Sequence, residues 1–130
     1  MFLFDCGEGT QRQMMKFGVG FGVREIFISH LHADHYLGLP GLLRTMSLQG
    51  REHELVVWGG AGTEGTLRSA IELGGDRLQF PVAVRELPAA EAVRYDGFEI
   101  RTDQSVERGG EASEERAAAE RHIEILRVAM

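Results

Sequence analysis

The sequence lacks the features of secreted and membrane-spanning proteins. Its 130 residues contain one cysteine, Cys6, which excludes an internal disulfide and favours a reducing compartment. No apolar run approaches the roughly 20 residues of a membrane-spanning helix. The N-terminus has neither the basic leader nor the cleavage site of a secretion signal. We therefore expect a cytoplasmic protein with no membrane partner.

The sequence also has no excess of positively charged residues. The formal net charge of −6 at pH 7 is unfavourable for a nucleic-acid-binding protein. The acidic excess lies in residues 54–130, which carry nine Lys or Arg and fifteen Asp or Glu, whereas residues 1–53 carry five of each. A bound metal ion would add positive charge that this count omits. The charge balance therefore neither excludes nor favours an RNA substrate.

The alternation of apolar and polar segments predicts an α/β fold in one domain, the most that 130 residues allow. Asp96-Gly97 is a strong hairpin signal, and Pro81 predicts an edge strand because it cannot donate a hydrogen bond to a sheet. Thr10 has the form of the first residue of a helix capping box. Strands are predicted at residues 1–4, 24–29, 54–58, 80–86, 91–95 and 98–102, and helices at residues 11–17, from Pro40, at 64–73 with Thr63 as N-cap, and at 111–128.

The helix that begins at Pro40 has a regular apolar face. Its apolar positions follow the i, i+3, i+4, i+7 spacing of a helix that packs on a sheet, and they are Leu39, Leu42, Leu43 and Met46. Arg44 and Arg51 fall outside this stripe, so they are either solvated charges or contacts for phosphate.

The most informative segment is the predicted strand at residues 24–29, which leads into a loop dense in metal ligands. Within six residues this loop contains His30, His32, Asp34 and His35. In an extended segment, His30 and His32 leave from the same face and can reach one ion, whereas Asp34 and His35 lie where a helix begins. The spacing suggests two neighbouring metal positions. Imidazole and carboxylate ligands without thiolate suit Zn²⁺, with Mn²⁺ or Fe²⁺ as alternatives.

At these residues the sequence resembles the metallo-β-lactamase superfamily. The superfamily signature HxHxDH is matched at every fixed position by residues 30–35 (HLHADH). The flanking residues 4–11 (FDCGEGTQ) and 35–43 (HYLGLPGLL) resemble ribonuclease Z in particular. The resemblance is strong from Phe2 to about Gly75 and looser to about Thr102.

The resemblance implies the αββα sandwich of that superfamily, of which this chain would supply the N-terminal half. We accordingly expect a partial metallo-β-lactamase-like domain over residues 1–103. Residues 104–130 form a divergent segment, for which the composition predicts a loop and a C-terminal helix. The usual N-terminal strands of the fold would be missing or begin elsewhere.

The resemblance also implies a zinc-dependent endoribonuclease that removes the 3′ trailer from precursor tRNA. A complete active site would hold two Zn²⁺ ions, and a metal-bound hydroxide would hydrolyse the phosphodiester bond. Asp34 would be the catalytic residue, holding or deprotonating the nucleophile while it ligates the second metal. His30, His32 and His35 would be neutral ligands. A homodimer is usual in the family, and no DNA partner is expected.

Some ligands that the resemblance implies have no counterpart here. A third histidine is expected after a Thr-Asp pair, but Thr102-Asp103 is followed by Gln104. A bridging aspartate and a later histidine are also expected, and His122 lacks the context of a ligand. Because each metal position starts with only two ligands, we expect the 130-residue chain by itself to be a poor or inactive nuclease.

Three alternatives remain open. The chain could be another hydrolase of the superfamily, acting on cyclic nucleotides, thioesters or lactams, although the two flanks favour ribonuclease Z. It could be a catalytically impaired zinc-binding or dimerising remnant, or a piece of a longer protein. Asp5 also has two interpretations, since it could orient a metal-ligating histidine or merely form the turn before Cys6. Cys6 itself is more typical of a small buried apolar residue than of a ligand.

Overall fold

The computed structural model of the chain describes residues 1–88, 91–103 and 122–126. The strands are β1 (Phe2–Phe4), β2 (Glu25–Phe27), β3 (Leu55–Gly60), β4 (Val82–Leu87), β5 (Ala92–Tyr95), β6 (Phe98–Asp103) and β7 (His122–Leu126). The helices are α1 (Thr10–Lys16), α2 (Ala33–Tyr36), α3 (Leu39–Leu48) and α4 (Glu64–Glu72). In the described part of the chain, no helix is long and apolar enough to cross a membrane.

Strands β1 to β4 form a parallel sheet in sequence order. Each parallel pair requires a crossover connection, which α1, α3 and α4 supply in turn. The register pairs Phe4 with Phe27, so β1 and β2 end side by side. The loops that follow these two strands therefore begin at the same edge of the sheet, where ligand sites of α/β proteins form.

Alternate residues of the central strands pack into two different layers. Ile26 and Val57 join the core beneath the helices, whereas their neighbours Phe27 and Trp58 pack on the opposite side of the sheet. This alternation is the period-two pattern of a strand buried on both faces. The predicted apolar face of α3 is confirmed, because four of its side chains are at most 1% exposed: Leu39, Leu42, Leu43 and Met46.

The second sheet is antiparallel and consists of β5, β6 and β7. The predicted hairpin is confirmed, with Gly97 at φ +86°, a backbone conformation that glycine adopts readily. Aromatic rings join the two sheets, since Phe2 lies 4.8 Å from Tyr95 between ring centroids. The Tyr95 hydroxyl also donates a hydrogen bond to Glu25 in β2. The helix layer and two sheets thus form the α/β layers expected for the N-terminal half of an αββα sandwich.

The predicted C-terminal helix is wrong where the structure describes it. Residues His122–Leu126 form β7, which pairs antiparallel with β6 in a register that places Ile125 opposite Ile100. The segment alternates polar and β-branched residues up to Leu126, and β6 offers an edge whose backbone groups need partners. Long-range pairing therefore overrides the local helix propensity. The rest of the predicted helix, and the predicted domain boundary after residue 103, lie at residues outside those described.

The two threonines predicted at helix N-termini do not cap those helices through their side chains. Helix α1 begins after Gly9 with no side-chain cap, because the Thr10 hydroxyl donates to the carbonyl of Gly7 at 2.8 Å. Thr63 is the N-cap residue of α4, as predicted, but its hydroxyl donates to the carbonyl of Gly60 at 2.6 Å. In both cases the hydroxyl stabilises the preceding turn. The position of β4 at an edge of the parallel sheet is as predicted.

Candidate metal centre

The four predicted ligands follow β2 at the carboxyl edge of the parallel sheet. The backbone N–H of Ile28 donates to the carbonyl of Trp58 at 2.8 Å, which extends the strand pairing toward the loop. His32 keeps an extended backbone and is the N-cap residue of α2, a single turn that contains Asp34 and His35. The predicted change from extended loop to helix within the motif is therefore confirmed.

The structure brings the predicted ligands together. The ring of His30 lies 4.5 Å from that of His32 and 3.8 Å from that of His35, measured between centroids. Nε2 of His35 lies 3.4 Å from Oδ2 of Asp34. Within the described residues, no group of three or more His, Cys, Asp or Glu side chains is arranged to hold a metal ion. The assignment of two ligands to each metal position stays a prediction.

Asp5 is the common hydrogen-bond acceptor behind these ligands. Its carboxylate accepts from Nδ1 of His35 at 2.7 Å and from the backbone N–H of Ser29 at 2.7 Å. The Ser29 hydroxyl donates to both carboxylate oxygens, at 2.8 and 2.9 Å. Asp5 adopts φ +58°, a left-handed conformation that aspartate tolerates better than most residues. Of the two interpretations of Asp5, the histidine-orienting contact is the one that its side chain makes.

The contact with Asp5 determines which nitrogen of His35 is available to a metal ion. An ionised carboxylate only accepts hydrogen bonds, so Nδ1 carries the ring proton and Nε2 of the neutral ring keeps a lone pair. Nε2 lies 3.4 Å from Oδ2 of Asp34, which is also a hydrogen-bond acceptor. Two acceptors at this separation are stabilised by a cation between them or by a second ring proton. Asp34 is 81% exposed, so this pair is open to solvent, and its donor chemistry fits a divalent ion.

The turn after β1 also holds the backbone of the ligand loop. The N–H of Cys6 donates to the carbonyl of His35 at 2.7 Å, and the N–H of Gly38 donates to the carbonyl of Cys6 at 2.9 Å. A Cβ on Gly7 would overlap the carbonyl oxygen of Asp34, and one on Gly38 would overlap that of Gly7. Glycine is therefore required at both positions for the two segments to approach so closely.

Cys6 is fully buried within this turn, as predicted for an apolar residue. Burial raises the pKa of its thiol to about 12, against a weaker opposing hydrogen bond from Thr10. The thiol therefore stays neutral near pH 7 and does not act as a thiolate ligand or nucleophile.

The two arginines considered for phosphate binding have other contacts. The Arg44 guanidinium donates to the carbonyls of Ile71 and Asp76 at the end of α4. The Arg51 guanidinium donates to the carbonyls of His53 and Glu54. Both side chains therefore support the backbone. Gln104 lies outside the described residues.

The sequence interpretation missed Ser29, whose hydroxyl touches Asp5 and both neighbouring histidines. A hydroxyl directly before a histidine-rich loop was the available signal. The long-range partner Asp5 could not be identified for it from spacing alone.

Comparison with solved structures places this geometry in a known fold. The chain is similar to the human tRNase Z short form, with a TM-score of 0.63 and 34% identity over 78% of this chain and 46% of that one. It is also similar to the Bacillus subtilis metallo-β-lactamase-fold protein YhfI, with a TM-score of 0.63 and 12% identity over 95% of this chain. The predicted metallo-β-lactamase-like fold is confirmed.

Sequence comparisons identify the family. Residues 1–69, more than half of the chain, match the family model described as Anti-Pycsar protein Apyc1. Curated relatives named ribonuclease Z are 51% identical over 112 residues in Gemmatimonas aurantiaca and 48% identical over 100 residues in Haloferax volcanii. Because the family model covers more than half of the chain, the chain belongs to the Anti-Pycsar protein Apyc1 family. The resemblance inferred from HxHxDH and its two flanks is confirmed by the relatives named ribonuclease Z.

The chain matches only part of the length of the relatives named ribonuclease Z. The two alignments cover 85% and 76% of this chain but 35% and 32% of those proteins. The chain thus spans about a third of the length of the curated relatives it matches. The matched part includes the HxHxDH segment and the Asp5 turn, since both lie within residues 1–69.

Proposed function

We propose that this chain carries the HxHxDH part of a zinc-dependent endoribonuclease that removes the 3′ trailer from precursor tRNA. The observation that supports it most is the pairwise proximity of the HxHxDH side chains at the sheet edge, with His35 held by Asp5 at 2.7 Å. The 51% identity to a relative named ribonuclease Z supports the substrate.

In this proposal the residues of the loop have separate roles. His30 and His32 would hold one zinc ion, and Asp34 and His35 the second. Bound zinc would supply a Lewis acid that stabilises negative charge on phosphate oxygens and makes water a better nucleophile. Asp34, at 81% exposure, can accept a proton at Oδ2 from the attacking water. Asp5 fixes the orientation of His35 and keeps the proton of the ring on Nδ1.

Several wider features belong to the same proposal. The protein would be cytoplasmic, would act as a homodimer and would bind RNA rather than DNA. The two zinc ions of a complete site would need ligands in addition to the four named ones, because a catalytic zinc usually has three protein ligands and a water. We therefore propose that the 130-residue chain alone cleaves slowly or not at all.

A second candidate is a phosphodiesterase of the same fold with a different substrate, such as a cyclic nucleotide. The observation that favours it is the family model over residues 1–69, which is described as Anti-Pycsar protein Apyc1. Both candidates would use the same ligands, so substrate assays must separate them.

The test is a single-turnover assay at high protein concentration with three substrates: precursor tRNA with a labelled 3′ trailer, a cyclic nucleotide and bis(p-nitrophenyl) phosphate. The proposal predicts that any zinc-dependent cleavage of precursor tRNA occurs at the trailer junction and stops when a chelator is added. Zinc-dependent hydrolysis of the cyclic nucleotide without trailer cleavage would favour the second candidate. Zinc binding without hydrolysis of any substrate would favour a catalytically impaired fragment.

A further inference from the structure

Ser29 lies between the Asp5 carboxylate and the first histidine of the motif. Its hydroxyl oxygen is 2.8 Å from Oδ1 and 2.9 Å from Oδ2 of Asp5. The same oxygen is 3.1 Å from Nδ1 of His30. Its backbone N–H also donates to Oδ1 of Asp5 at 2.7 Å, so the residue is fixed at two points. The Ser29 hydroxyl therefore links the Asp5 carboxylate to the ring of His30.

The direction of these hydrogen bonds follows from the chemistry of the groups. A hydroxyl has one proton to donate, and an ionised carboxylate can only accept. If the Ser29 proton pointed at His30, two acceptor oxygens would face each other at 2.8 Å, an unfavourable contact. The proton therefore points at Asp5, and the hydroxyl oxygen accepts from Nδ1–H of His30. The neutral His30 ring then has its lone pair on Nε2.

We propose that Ser29 is a positioning residue that sets the ring tautomer of His30, so that one carboxylate controls a histidine at each metal position. Asp5 acts on His35 directly and on His30 through the Ser29 hydroxyl. Both rings then present Nε2 to the ions, as a metal-ligating histidine does when its other nitrogen is bonded to an acceptor. The role of this tautomer in metal binding rests on the proposed function. The tautomer itself is a property of the metal-free chain and can be measured there.

The experiment measures the tautomers in the metal-free chain. Long-range ¹H–¹⁵N correlations of the imidazole rings, recorded at about pH 8 where histidine is neutral, distinguish Nδ1–H from Nε2–H. The signals are assigned with His30→Gln and His35→Gln variants. We expect the wild-type rings of His30 and His35 to carry the proton on Nδ1. Ser29→Ala should shift His30 toward Nε2–H and leave His35 unchanged.

Two further variants separate this role from a general effect on the fold. Ser29→Thr keeps the hydroxyl and should restore the Nδ1–H form of His30. Ser69→Ala is the matched control, because its hydroxyl donates to the carbonyl of Gly65 within α4, and it should change neither ring. If Ser29→Ala does not fold, as judged by the dispersion of its backbone amide signals, the wild-type measurement decides: an Nε2–H form of His30 would overturn the proposal.

Zinc titration by calorimetry then links the tautomer to the site. Ser29→Ala should weaken zinc binding about 10–100-fold, or below detection, and Ser29→Thr should restore it. An unchanged His30 tautomer in folded Ser29→Ala would overturn the role of Ser29, whatever the zinc affinity. Absence of zinc binding by the wild-type chain would instead contradict the proposed function. The tautomer result would still decide the role of Ser29.

Discussion

Nδ1 of His35 donates a hydrogen bond to the Asp5 carboxylate at 2.7 Å, although the two residues are 30 positions apart in the sequence. The contact exists because β1 and β2 are parallel and end together, with Phe4 opposite Phe27. A local ligand motif is thus oriented by the strand beside it. The energetics of the candidate metal centre therefore depend on the pairing of β1.

Replacement of Asp5 by Asn is expected to weaken zinc binding about 10–100-fold. The Ser29 N–H and Nδ1 of His35 bond to different carboxylate oxygens. The amide keeps the shape of the side chain but replaces one of these oxygens with an NH2 group, a donor that would face one of the two donors. Calorimetric titration of zinc into each variant measures the effect. Asp76→Asn, at an exposed position away from the loop, is the control. Equal zinc affinity in Asp5→Asn and wild type would show that the Asp5 contact does not tune the site.

Gly7→Ala is expected to destabilise the chain by about 1–3 kcal/mol, because the new Cβ would overlap the Asp34 carbonyl and the backbone must move. It should also weaken zinc binding, since Asp34 and His35 move with that backbone. Gly22→Ala has nothing within 4 Å of the new Cβ and should change stability by less than about 0.5 kcal/mol. Urea unfolding followed by circular dichroism compares the two. Similar midpoints for both variants would mean that the close approach at Gly7 is dispensable.

Leu43→Ala is expected to destabilise the chain by about 2–5 kcal/mol, because the Leu43 side chain is 0% exposed in the core between α3 and the sheet. Leu48 in the same helix is 88% exposed, and Leu48→Ala should lie within about 0.5 kcal/mol of wild type. The free energies of unfolding in urea give the difference. A small loss for Leu43→Ala would argue against the packing of α3 described above.

Asp34→Ala is expected to reduce cleavage of precursor tRNA by about 100-fold or more in a form of the protein that is active. RNA affinity should fall much less, since most contacts of such proteins are made to phosphates elsewhere. Single-turnover rates and filter binding give the two quantities separately. Parallel losses in rate and affinity would count against a role of Asp34 in the chemical step.

The sequence predicts the local features of this protein well. The apolar face of α3, the Asp96-Gly97 hairpin and the passage from strand to ligand loop each depend on neighbouring residues, so spacing reveals them. Thr63 is the N-cap residue of α4 as predicted, whereas Gly9 rather than Thr10 is that of α1. Neither hydroxyl caps its helix, because a threonine hydroxyl can bond either to a helix N–H or to a preceding carbonyl. Local pattern does not distinguish these two choices.

The larger prediction errors concern contacts between residues that are far apart in the sequence. Residues 122–126 form a strand because β6 lies beside them, and the local composition gave no indication of that partner. Arg44 binds carbonyls at the end of α4, more than 25 residues away. The link from Asp5 through Ser29 to His30 also requires the parallel register of β1 and β2. Such contacts can be predicted only when the order and register of the strands are known.

We propose that the HxHxDH side chains form the metal site, and equilibrium dialysis against zinc is the direct test. We expect weak, substoichiometric binding of zinc by the 130-residue chain. Binding should be lost in a variant that combines His30→Ala with His32→Ala and weakened in one that combines Asp34→Ala with His35→Ala. Zinc binding that survives both double substitutions would contradict the claim. Tight binding of two zinc ions per chain, with cleavage of precursor tRNA, would show that the remaining ligands lie within these 130 residues.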